Sequence, residues 1–159
     1  MLYRAVIFLV FFLTGCGFQM RGAADIPVEM ARTYIDTSDR HSLFYRRVRS
    51  GFRTAGIQVV DSPKDASAIF FIAADQTGQR VLSVSARNVP TEFEVYYSIS
   101  YRLSAGERVL LPLRTQTLIR DYTWDETLVL GKEKEENLLR EAIVEDLLRI
   151  ILIQLSGLQ

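Results

Sequence analysis

Between Glu92 and Leu103 the chain alternates without a break. Phe93, Val95, Tyr97, Ile99, Tyr101 and Leu103 interleave with Glu94, Tyr96, Ser98, Ser100 and Arg102. Only an extended strand turns successive side chains to opposite faces. The stretch therefore commits the chain to a sheet with one apolar face to cover and one polar face that water or a polar partner meets. Ser104-Ala105-Gly106-Glu107 reads as a hairpin turn, and a returning strand runs from Val109 to about Tyr122. Val109, Leu111, Leu113 and Ile119 are expected on one face of it, and Pro112 points to an edge position or a bulge.

The residues that cover the apolar face lie before and after this hairpin. Leu43 or Phe44, Val48, Phe52 and Ala55 recur at helical spacing, with Gly56 placed as a C-terminal cap. A second, longer helix is expected over about Lys132 to Leu155, after Gly131. Glu133, Glu135 and Glu136 suit the positive end of its dipole. Its last part, Leu147 to Leu155, is apolar on most sides. Such a helix is either clamped between the first helix and the sheet or completed by a partner or a membrane surface. Val28 to Asp36 reads as a strand, Ile57 to Val60 as a short extended piece, and Arg80 to Arg87 continues as a strand after Thr77-Gly78. Ser67 to Ala74 is apolar on both faces, which fits a central strand. The expected fold is α+β: two helices packed on one face of a mostly antiparallel, four-stranded (mixed) sheet.

The N-terminus carries a different signal. Arg4 precedes the apolar run Ala5 to Leu13, which ends at Leu13-Thr14-Gly15-Cys16. A charged start, a short apolar run and small residues describe an export signal, and the run is too short to span a bilayer. Leu13-Thr14-Gly15-Cys16 resembles the lipobox of bacterial lipoproteins, whose cysteine becomes the acylated N-terminus. Cys16 is the only cysteine in the chain and has no partner for an internal disulfide. The expected organisation is a lipoprotein signal peptide at 1–15, a lipidated tether at 16–27 and a single domain at 28–159. No cofactor is expected beyond the covalent diacylglycerol and N-acyl lipid on Cys16.

Catalytic chemistry finds little purchase. His41 is the only histidine, which excludes a histidine-based triad or a multi-histidine metal site. There is no glycine-rich phosphate loop, and the carboxylates are scattered. No catalytic residue, no metal and no enzymatic activity are expected. The formal net charge is +0, so no basic field points to nucleic acid. The local cations are Arg46, Arg49 and Arg53, which form one stripe on the first helix, and Arg87 and Lys132 beside turns. The stripe is either a solvated helix face or a contact for anionic headgroups or an acidic protein wall.

Cys16-Gly17-Phe18-Gln19-Met20-Arg21-Gly22 resembles the mature start of the LPS-assembly lipoprotein LptE family. The resemblance extends through Ile35-Asp36, Gly56-Ile57, the Arg87-Asn88 turn and the start of the last helix. It implies a non-enzymatic protein anchored by lipid at the periplasmic face of the outer membrane. It further implies plugging and assisted assembly of an LptD-type β-barrel, and binding of lipopolysaccharide for insertion into the outer leaflet. Arg87 and Lys132 match basic residues implicated in that binding. Two other readings share the lipobox: an accessory subunit of another envelope lipid transporter or barrel-assembly machine, and an envelope hydrolase for which no nucleophile and base can be named.

Overall fold

The structure is a computed structural model that describes residues 26–125 and 127–158. The signal peptide, Cys16 and most of the tether lie outside the described residues. A short 3-10 turn, Val28–Ala31, leads into β1 (Arg32–Thr37). The sequence reading ran the strand through this turn. Thr33 explains the difference, because its hydroxyl donates to the Met30 carbonyl at 2.8 Å and closes the turn. Helix α1 (Leu43–Thr54) begins where the Ser42 hydroxyl accepts the Tyr45 N–H at 3.0 Å. It ends at Gly56, whose φ of +86° is the left-handed conformation that glycine adopts without steric cost.

After β2 (Gln58–Val60) come three long strands: β3 (Ala68–Val84), β4 (Pro90–Ala105) and β5 (Arg108–Thr123). Helix α2 (Val129–Ser156) closes the chain. The sheet order is β2-β1-β3-β4-β5, so β3 is central as its two apolar faces require. β1 pairs in parallel with both β2 and β3; the β3/β4 and β4/β5 pairs are antiparallel. The sheet thus has five strands where the sequence reading counted four. The extra one is the three-residue β2, too short to show a period. The stretch expected as strand over 67–74 and continuing over 80–87 is the single strand β3, because Thr77-Gly78 stays in register opposite Tyr97-Tyr96. Gly78 does this without a turn: a Cβ there would meet the Tyr96 hydroxyl at 2.7 Å, so the bare backbone makes room for the ring.

Both helices cover the face of β4 that carries Val95, Tyr97, Ile99, Tyr101 and Leu103, all buried. Phe70 packs edge-on against Phe52 at 5.2 Å and stacks on Tyr101 at 5.5 Å. The Tyr101 hydroxyl donates to Gln154 at 2.5 Å, which pins the far end of α2 to the sheet. Leu147, Leu148, Ile151 and Leu155 are buried. The apolar end of α2 is therefore mostly a clamped core helix, with Ile153 still 58% exposed. Among the described residues no helix is long and apolar enough to cross a membrane.

One expectation about β5 is corrected. Leu111 pairs with Leu103 on the covered face, whereas Ile119 pairs with Tyr96 on the open face. Between Tyr101 and Leu103 the register slips, and β5 spends one extra residue beside Pro112. An extra residue reverses which face every later side chain takes.

Candidate functional site

The strands give the molecule two different ends. At the base stand the β4–β5 turn, the end of α1 and the start of the described chain, tied by the Arg108–Glu29 ion pair. There β1, β2 and α1 flank the long strands. At the tip the β3–β4 turn, the end of β5 and the start of α2 meet, and β1 and β2 have already ended. β3 alone spans about 55 Å at ~3.3 Å per residue, so the ends are well separated.

Arg87 and Lys132 both belong to the tip. Arg87 is exposed in the turn after β3, which closes by Ser85 N–H to Val89 O at 2.8 Å and Asn88 N–H to Ser85 O at 2.8 Å. Asn88 takes φ +63°, tolerable for its short polar side chain. Arg87, Pro90, Thr91, Trp124 and Asp125 line one shallow groove. Trp124 is fixed by its N–H to the Thr91 carbonyl at 2.8 Å and by its edge against Phe93 at 5.6 Å. Asp125 shares the groove with Arg87 and feels the charge of Lys132. Its carboxylate accepts both the Thr127 hydroxyl at 2.7 Å and the Thr127 N–H at 2.9 Å. Those bonds, and then the charge of Lys132, hold its pKa below the usual carboxylate range.

Lys132 lies in the first turns of α2 and its amine donates to Glu135 at 2.8 Å. Its side chain is only 17% exposed. A bound phosphate would compete with Glu135 for this amine, whereas Arg87 projects to solvent. Next to them Tyr122 donates to Gln79 at 3.0 Å. Its pKa is raised by burial and then by the nearby Glu136 carboxylate.

The arginine stripe of α1 lies elsewhere, on the outer side of the helix layer. Arg49 is bound to Asp61 at 3.0 Å, Arg46 donates to the His41 carbonyl at 3.1 Å, and Arg53 is exposed. The structure does not bring the stripe to Arg87 or Lys132. Among the described residues no group of three or more His, Cys, Asp or Glu side chains could hold a metal. Sequence reasoning missed Trp124 and Asp125. The one available signal was their place between the last strand and the last helix, where loops carry binding residues.

The chain matches the family LptE, described as Lipopolysaccharide-assembly, over residues 30–155. A Yersinia enterocolitica protein named LPS-assembly lipoprotein LptE is 26% identical over 80% of this chain; the match spans 61% of that relative's length. A Pectobacterium atrosepticum protein of the same name is 23% identical, over 91% of this chain and 79% of its own. The solution structure of lipoprotein B from Nitrosomonas europaea superposes with a TM-score of 0.73 at 27% identity, covering 89% of this chain and 91% of its own. With the family matched across nearly all of the described domain, and the same α+β architecture in a solved lipoprotein, this chain belongs to the LptE family.

Proposed function

We propose that this chain is a non-enzymatic lipoprotein of the outer membrane, anchored through acylated Cys16. In this reading it occupies the lumen of an LptD-type β-barrel, assists the barrel's assembly, and binds lipopolysaccharide on its way to the outer leaflet. The observation that carries the reading is the convergence of Arg87 and Lys132 on one end of a chain of the LptE family. Arginine grips phosphate through a rigid fork and lysine as a point charge. Two such contacts, one of them already shared with Glu135, give a grip weak enough to release.

The open sheet face supports the plug part. It carries Ser98 bonded to Thr117 at 2.8 Å and Ser100 bonded to Thr115 at 2.7 Å. Arg102 lies over the Phe71 ring at 4.8 Å. This surface suits the polar interior of a large barrel better than a lipid face. Affinity purification of the lipoprotein from detergent-solubilised outer membranes tests the reading. A stable complex with one large LptD-type barrel is the expected result. Recovery with a permease, or with a different barrel, would transfer the function to another envelope machine.

A further inference from the structure

We infer that the first half of α2, residues 129–140, is a latch at the tip. It opens by local unwinding while the rest of the molecule stays folded, and its position decides whether Lys132 stands with Arg87. The part concerning Lys132 rests on the proposed function; the opening itself does not.

The two halves of α2 are held differently. Its buried side chains are Ile143, Val144, Leu147, Leu148, Ile151 and Leu155, all in the second half. None of 129–140 is buried, and Leu139 is the one apolar side chain there that packs, half-buried, against the core. The other half-buried residues of the segment are Lys132, Glu135, Glu136 and Arg140. These pair along the helix, Lys132 with Glu135 at 2.8 Å and Glu136 with Arg140, and such pairs contribute little. Tyr122, the buried strand residue with Glu136 and Arg140 close by, donates its hydroxyl proton sideways to Gln79 of β3 at 3.0 Å.

The start of the helix is weak in itself. No side chain caps it at Leu128, no acid stands in its first turn, and Gly131 lies in that turn. A helix of about a dozen residues is marginal in water without packing. Firm ties begin only beyond 140. Glu141 pairs with Arg47 of α1 at 3.6 Å, Ile143 is the first side chain in the core, and Asp146 takes Arg120 of β5 at 2.5 Å. What precedes these ties unwinds alone and carries Lys132 with it, whereas Arg87 stays on the turn after β3. Opening uncovers Tyr122, which is 5% exposed, so the closed form is the resting one.

Hydrogen exchange of the full-length protein in detergent, resolved along α2, tests this. Amides of 133–140 should be protected at least about a hundredfold less than those of 147–155, because burying even one large side chain is worth about tenfold or more. A Cβ at Gly131 meets nothing within 4 Å, so Gly131→Ala acts through helix propensity. It should slow exchange of 133–140 about fivefold and leave 147–155 unchanged. Equal protection along the helix would overturn the latch. Fast exchange confined to the first turn would overturn it too, since that is ordinary fraying of a helix end, as would a Gly131→Ala effect shared by both halves. Lipopolysaccharide is then added, and slower exchange of 133–140 alone is the expected result. Lipopolysaccharide that binds without slowing it would overturn the control of Lys132 and take that residue out of the proposed site, with the opening left standing.

Discussion

The base and the tip of this molecule share three strands and one helix, yet they are built to opposite ends. At the base, Phe44, Phe52, Phe70 and Tyr101 are fully buried between two helices and a five-stranded sheet. At the tip the same strands run past β1, β2 and α1 and keep only the start of α2 as cover, and apolar side chains face outward. Burial of a large apolar side chain is worth about 1.5–3 kcal/mol, so the base holds most of the folding energy. The tip is thereby free to carry residues chosen for contact. The lesson is a division of labour along one sheet: the base makes the fold and the tip spends little of it.

That division is easiest to break at the base. Phe70→Ala removes the ring between Phe52 and Tyr101 and should cost about 3–5 kcal/mol in denaturant unfolding. A loss under about 1 kcal/mol would mean that the base is not the main core. Gly51→Val comes next. A Cβ at Gly51 already falls 2.5 Å from the buried Leu148 side chain, so that side chain must swing aside or the α1–α2 contact open. The expected destabilisation is about 1–3 kcal/mol, read by the same unfolding curve. Ser42→Ala should be smaller, about 1 kcal/mol, since it removes one accepted N–H at the start of α1.

The smallest effect belongs to the tip and has a definite sign. Asp125 has a folded pKa below its ordinary value, so its contribution to stability is present above the unfolded carboxylate pKa. It is lost as pH falls through the lower, folded one. Protection of the Thr127 amide, its exchange measured against the unstructured rate at the same pH, should therefore fall only in acid below about pH 4, by the usual carboxylate reference. Asp125→Asn should flatten that dependence while barely moving global stability. An unchanged profile in the variant would detach Asp125 from the turn.

How much of this was legible in the sequence depended on the kind of signal. The Glu92–Leu103 alternation placed the central hairpin, because period two has one structural meaning. The helical spacing of Phe44, Val48 and Phe52 placed α1 to within a residue or two. β2 was not legible as a strand of the sheet: three residues carry no period, and only the parallel pairing to β1 makes them one. The face taken by Ile119 was misread because a register slip near Pro112 leaves no mark on the alternation itself. Arg87 and Lys132 were nameable through the resemblance and their places beside turns. Their meeting at one end follows from the lengths of β3, β4 and β5 and the register between them, which alternation within a single strand does not give. Trp124 and Asp125 escaped because a lone indole and a lone carboxylate in a connection look like ordinary loop residues.

The most direct test of the account sets lipid recognition against folding in one variant. Lipopolysaccharide binding and thermal unfolding should be measured side by side for the wild type and for Arg87→Asp/Lys132→Asp. Recognition at a tip that adds little to stability predicts binding weakened at least about tenfold, roughly 1.4 kcal/mol, with an unfolding midpoint within a few degrees of the wild type. Wild-type binding in the folded double variant would contradict the account and move recognition to another surface.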